Sequence, residues 1–214
     1  MEFLPKKLDD YVCEHTQQEN DILKDLNRET WAKVLIPRML SGHLQGRTLA
    51  MLSKMINPKN ILEIGTYTGY SAICLSEGLQ ENGLLHTIDI NEELYTMSSS
   101  YFKKAGIADK IIQHVGDANN IIPEIDLKWD LIFIDADKEN YANYFDLVID
   151  NLAMGGFIIA DNVLWSGKVI EKINEKDKET AAIVDFNKKI QLSNRVENVL
   201  MPIRDGLMVC RKIK

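Results

Sequence analysis

The sequence predicts an α/β protein: a largely parallel, doubly wound sheet, preceded by helices and ending in an antiparallel hairpin. Three observations carry this. From residue 60 onward β-like runs alternate with helical segments, the order that gives a parallel sheet wrapped by helices. Residues 61–71, Ile-Leu-Glu-Ile-Gly-Thr-Tyr-Thr-Gly-Tyr-Ser, pass from an apolar strand through two glycines four apart into a helix. The tail breaks the alternation. Arg195–Met201 and Leu207–Lys212 are joined by Pro202-Ile203-Arg204-Asp205-Gly206 with no helix between them, so they pair as a hairpin.

Residues 1–214 read as one domain, with a helical cap over 1–59 and the sheet core over 60–214. In the cap, Leu8–Glu14 and Glu19–Arg28 are short amphipathic helices, and Pro37–His43 is a turn-rich connector. Leu44–Ile56 repeats apolar residues at helical spacing, with Pro58 just past its end. In the core, strands fall at 61–64, 84–89, 111–115, 130–135 and 156–161. Helices fall at 69–80, 91–105, 118–125, 140–152 and 178–192. Glu171–Thr180 is the most charged loop and reads as solvated surface.

Bulk properties exclude several classes. Hydrophobic content of 45% and charged content of 27% are those of a soluble globular chain. A net charge of −7 and a pI near 5.2 argue against a nucleic-acid partner, which needs a basic face. No apolar run approaches the roughly 20 residues of a membrane span, and the first ten residues lack the apolar stretch of a secretory signal. Cys13, Cys74 and Cys210 are odd in number and far apart, the pattern of free thiols in a reducing compartment. A cytoplasmic protein is expected.

The glycine turn is informative about ligands. A dinucleotide site uses G-x-G-x-x-G, whose tight turn seats a pyrophosphate. Here Gly65 is followed by three residues with side chains before Gly69, and Glu63 stands at the strand end. A carboxylate there suits a cationic ligand such as the amino-acid part of S-adenosylmethionine, with its ammonium and sulfonium. Asp89 ends the second strand, where an acidic residue can accept from both ribose hydroxyls. Asp117 and Ala118 follow the third strand, where an adenine could rest. All these strand ends fall at one rim of the sheet.

A second constellation carries hard oxygen donors. Strand four ends in Asp135-Ala136-Asp137-Lys138 and strand five in Asp161-Asn162, so Asp135, Asp161 and Asn162 reach the same rim. Two carboxylates and an amide suit Mg²⁺, with Mn²⁺ or Ca²⁺ as alternatives, and no thiolate or imidazole points to zinc. Lys138, one turn past Asp135, is placed to act as a general base. An ortho-diphenol could chelate through both oxygens and direct one at a sulfonium methyl. Trp165, just past the acidic pair, is the leading acceptor contact; Trp31, Tyr67 and His43 are further candidates, and His86 and His114 read as structural.

Four segments, 63–71, 88–90, 133–141 and 161–167, resemble the caffeoyl-CoA O-methyltransferase type of class I methyltransferase and, more distantly, catechol O-methyltransferase. The resemblance implies a seven-stranded Rossmann-like fold, metal dependence and a homodimer. It assigns Ser41, Glu63, Gly65, Ser71 and Asp89 to the methionine and ribose portions of the methyl donor. Asp117 and Ala118 go to the adenine, with Asp137 and Tyr144 as further donor contacts. Asp135, Asp161 and Asn162 hold the metal, Lys138 is the base, and Asp135 also faces substrate. Ser166 stands where plant members carry a substrate-contacting asparagine, and the N-terminal region that recognises the CoA arm is not matched. The expected acceptor is therefore a small aromatic diol: a free catechol, a hydroxylated phenylpropanoid or a flavonoid. Two alternatives stand beside this: a nicotinamide-dependent oxidoreductase, and a non-catalytic module binding S-adenosylmethionine on the same fold.

Overall fold

The computed structural model describes residues 4–174 and 176–214. Three helices come first: α1 (Lys6–Glu14), α2 (Asp21–Lys33) and α3 (Gly42–Ile56). The core then runs β1 (Asn60–Ile64), α4 (Tyr70–Ser76), β2 (Leu84–Asp89), α5 (Tyr95–Lys104), β3 (Ile111–Val115) and α6 (Ala118–Ile121). It continues through β4 (Trp129–Ile134), α7 (Tyr141–Ile149), β5 (Leu152–Ala160), α8 (Lys178–Leu192), β6 (Val196–Met201) and β7 (Leu207–Lys212). The seven strands form one sheet in the order β3-β2-β1-β4-β5-β7-β6. The first five strands in that order are parallel, and β7 is antiparallel to both β5 and β6. The expected architecture is the observed one.

Each face of the sheet buries its own core. On one face Leu62, Ile64, Ile132 and Ile158 pack under α7 and α8 through Phe145, Val148, Ile183 and Phe186. On the other, Ile61, Leu131, Phe133 and Ile159 meet α2–α5 through Leu26, Leu49, Ile73 and Phe102. The two-residue side-chain period of each strand sorts these residues to opposite faces. Order reverses between β1 and β4, and the strand ends there open onto a crevice, the usual ligand position in such sheets.

Several boundaries differ from the sequence reading. α2 extends five residues past Arg28 to Lys33. The helix expected over 118–125 stops at Ile121 and tightens into a 3₁₀ turn, because Pro123 cannot continue the hydrogen-bond ladder. α7 ends at Ile149, and β5 begins at Leu152 rather than 156. Gly155, at φ +77°, lets that strand kink through a register shift against β4, so a glycine pair that reads as a turn lies inside the strand. α8, by contrast, spans the 178–192 expected of it, and Asp177 caps it by accepting from the Thr180 N–H. Residue 175 of the charged loop before it, and residues 1–3 of the N-terminal reading, lie outside the described residues.

Candidate active site

The site is built by strand register. Ile64 is aligned with Ile88 and Ile134, and Ile134 with Ala160. The next residue on each strand therefore stands abreast of its neighbours: Asp89, Gly65, Asp135 and Asp161. Backbone hydrogen bonds continue this row past the strands. Gly65 donates to the Ile88 carbonyl, Asp135 to Ile64 and Asp161 to Ile134, at 2.8–2.9 Å. Gly116 extends it by donating to Asp89. The row lines a cleft of about 1780 Å³, which residues 34–36, 38–41, 44 and 45 also line.

Gly65 is required by close approach. A Cβ at this position, where φ is +103°, would lie 2.0 Å from the Asp135 carbonyl oxygen. Beneath the cleft floor Glu63 is fully buried and accepts from the Thr87 hydroxyl at 2.6 Å; Thr66 bonds in turn to Thr87. Burial pushes the Glu63 carboxyl up to about 8, against the nearby Ser71 hydroxyl and the Thr87 hydrogen bond, which pull it down. Its Oε1 is buried without a partner. Ser71 and Ser41 line the cleft itself.

Asp89 accepts from the Tyr67 N–H at 2.6 Å and the Asn91 N–H at 2.8 Å, so it also fixes the glycine turn. Asp117 caps α6 through the Asn119 N–H, beside the buried Ala118. Asp137 accepts from the Tyr144 hydroxyl and the Asn140 amide. All of these acids, Ala118 and Tyr144 line the same cleft.

The acidic pair lies towards β5. Asp161 is 3% exposed, and burial and the Asp135 charge both push its carboxyl upward. The Asn162 N–H donates to Asp161 Oδ1. Asn162 sits in the left-handed region at φ +60°, a conformation asparagine tolerates better than most residues, and among the described residues its side-chain amide has no hydrogen bond. Lys138, 7% exposed, donates to Asp135 Oδ1 at 3.1 Å and to the Tyr141 hydroxyl at 2.6 Å. Burial holds the Tyr141 phenol well above its ordinary range. The Lys138 ammonium is 5.8 Å from the Trp165 ring, and Trp165 lines the cleft.

Sequence reasoning missed Gln45 and Arg204. Gln45 is buried on α3, and its amide donates to Asp161 Oδ2 at 2.5 Å. Its carbonyl accepts from Arg204 Nη1 at 3.2 Å. A lone glutamine within a helix pattern gives no signal of such a partner 116 residues away. Other candidates fall elsewhere. His43 does not line the cleft; its Nε2 bonds to the Gln17 carbonyl at 2.8 Å. Trp31 lies 62% exposed on α2, away from the cleft. Tyr67 does line it and donates to the carbonyl of Ile36, another lining residue.

This sheet order, with a reversed final hairpin and an acid-floored cleft at the β1/β4 switch, defines a Rossmann-like methyltransferase fold. Residues 13–213 match the O-methyltransferase family, and the chain belongs to that family. It is 36% identical over 208 residues to a caffeoyl-CoA O-methyltransferase of Medicago sativa, covering 92% of this chain and 84% of that protein. It is also 36% identical over 207 residues to caffeoyl-CoA O-methyltransferase 1 of Arabidopsis thaliana, covering 92% and 80%. Among solved structures, the SAH-bound methyltransferase PaMTH1 of Podospora anserina superposes with a TM-score of 0.89 at 27% identity over the whole of both chains. The Bacillus cereus O-methyltransferase in complex with SAH gives 0.89 at 28% identity, covering 96% and 97%. The protein is an S-adenosylmethionine-dependent O-methyltransferase, which displaces both the nicotinamide oxidoreductase and the non-catalytic module.

Proposed function

We propose that this enzyme methylates one of two vicinal hydroxyls on a small aromatic acceptor, with a divalent cation held by Asp135, Asp161 and Asn162. The observation that carries the proposal is the placement of two carboxylates abreast in the cleft, with the Asn162 amide, unbonded among the described residues, next to Asp161. The donor set fits Mg²⁺ or Mn²⁺: all ligands are hard oxygens, and like-charge strain on buried Asp161 is the kind a cation relieves. A bound cation would supply electrostatic stabilisation of the ionised diol.

The residues of the chain do the rest. The row from Asp117 to Gly65 holds the donor, with the unpartnered Glu63 oxygen below offering a hydrogen-bond acceptor on the side of its ammonium end. Lys138, acting as the neutral amine, takes the proton of the reacting hydroxyl and becomes the ammonium, and the hydroxyl's oxygen then attacks the sulfonium methyl. The new C–O bond forms as the C–S bond breaks, leaving a neutral thioether. Trp165 offers an aromatic wall to the acceptor ring.

The proposal extends to a cytoplasmic homodimer. Free Cys74 and Cys210 fit a reducing compartment, and exposed Leu35, Met51 and Met55 on the cap offer an apolar contact surface. The metal is tested by dialysis against EDTA followed by add-back. Activity towards catechols should disappear and return with Mg²⁺ or Mn²⁺, and Asp161→Ala should lose turnover while still binding S-adenosylhomocysteine. Full activity after chelation would remove the cation from the account.

A further inference from the structure

We infer that Arg204 is a specificity residue which reads an anionic group on the acceptor, so that the preferred substrate is an acidic aromatic diol. The inference rests on the acceptor class proposed above and deepens it.

Arg204 sits at φ +51° in the tight β6–β7 turn, closed by the Gly206 N–H donating to the Ile203 carbonyl at 2.9 Å. Glycine or asparagine is the residue such a backbone favours, so a long cation here carries a local cost. The turn packs against the acceptor side of the site. Leu164 donates to the Asp205 carbonyl at 2.9 Å, and the Ser166 N–H donates to the Asp205 carboxylate. The sheet order puts this turn at the β5/β7 end of the row, away from the Asp89 and Asp117 end.

The guanidinium is anchored and only partly used. Nη1 donates to the Leu40 carbonyl and to Gln45 Oε1, both at 3.2 Å. Among the described residues, Nε and Nη2 make no hydrogen bond and no carboxylate pairs with them. Other cations lining the cleft are matched: Lys33 by Glu29, Lys138 by Asp135 and Lys168 by Asp177. Arg38 also lines the cleft without a carboxylate, but no hydrogen bond fixes its side chain. Arg204, an exposed residue held through Nη1, thus leaves its Nε–Nη2 edge free among the described residues, the fork that matches a carboxylate or phosphate through two parallel bonds. In a chain of net charge −7, this unmatched cation beside the acceptor pocket favours anionic acceptors. The anion could be a carboxylate on the ring's side arm or a phosphate of a CoA thioester.

The test compares caffeate, its neutral methyl ester and caffeoyl-CoA as acceptors, with Mg²⁺, in wild type and Arg204→Gly. Glycine suits the turn and removes only the side chain. Wild type should prefer an anionic acceptor over the ester, and the variant should lose about tenfold of that preference in kcat/KM. Loss on caffeate identifies a carboxylate, and loss confined to the thioester identifies a phosphate. An anionic preference absent from wild type or intact in the variant overturns the inference while leaving the diol reading in place. So does a variant whose defect is weaker binding of S-adenosylhomocysteine, which would assign Arg204 to the donor. Failure of wild type to methylate any of the three would overturn the diol reading and this inference with it.

Discussion

Replacing Gln45 with leucine keeps the side chain's bulk but removes its hydrogen bond to buried Asp161, together with the one it accepts from Arg204. Gln45 and Asp161 are 1% and 3% exposed, so no solvent replaces the lost donor. A hydrogen bond to a charged group is worth about 1.5–3 kcal/mol, and loss of such an orienting partner lowers metal affinity by roughly 10–100-fold. The sign of the pH effect is fixed by the site. The Gln45 bond pulls the Asp161 carboxyl down against burial and the Asp135 charge, so its loss lets the carboxyl rise further. Protons then compete with the cation at neutral pH, and raising the pH restores the carboxylate. Titration of Mn²⁺ followed by electron paramagnetic resonance at pH 7 and pH 8.5 reads this directly. The deficit should be at least tenfold at the lower pH and smaller at the higher, with S-adenosylhomocysteine still bound. Wild-type Mn²⁺ affinity in Gln45→Leu would refute the idea that this amide positions Asp161.

Three further outcomes follow. Gly65→Ala must displace the Asp135 carbonyl, 2.0 Å from the new Cβ, and adopt φ +103°; a cost of about 2–4 kcal/mol should lower Tm by about 10 °C, and an unchanged melting curve would contradict the close approach. Lys138→Ala should reduce kcat by about 100-fold with an altered pH profile, and a wild-type rate would remove it as the base. His86 hydrogen-bonds His114 at 3.0 Å inside the sheet edge, and burial, then the His114 charge, pushes it down to about 4. The unfolded chain therefore binds more protons than the folded one below about pH 6.5. Stability should fall by up to about 3 kcal/mol between pH 6.5 and 4, and His86→Gln should flatten that limb of a urea-unfolding series; an unchanged slope would exclude the pair as its source.

Much of the architecture was legible because parallel strands carry their signal locally. Each of β1–β4 is a short apolar run, and the residue just past a strand end is placed by register alone. That is why Gly65, Asp89, Asp135 and Asp161 could be set on one rim from sequence. The boundary of β5 was not legible, since Gly155-Gly156 reads as a turn unless the bulge against β4 is known. The sequence sets Glu63 at the strand end, and the structure buries its side chain there, so its contacts with Thr87 and Ser71 follow from packing and not from spacing. Gln45 and Arg204 were invisible for a different reason. Their roles depend on α3 and the β6–β7 turn converging on Asp161, and Arg204 lies 159 residues from Gln45 in the chain. Tertiary packing sets that contact, with no local spacing to announce it.

Under the proposed mechanism a hard cation and the methyl donor share one cleft at the β1/β4 switch. Crystals grown with Mn²⁺ and S-adenosylhomocysteine, with data collected at the manganese edge, test it most directly. The expected result is an anomalous peak ligated by Asp135, Asp161 and Asn162, facing the sulfur of the bound nucleoside. Nucleoside in the cleft with no peak at those three side chains, or a peak elsewhere on the molecule, would contradict it.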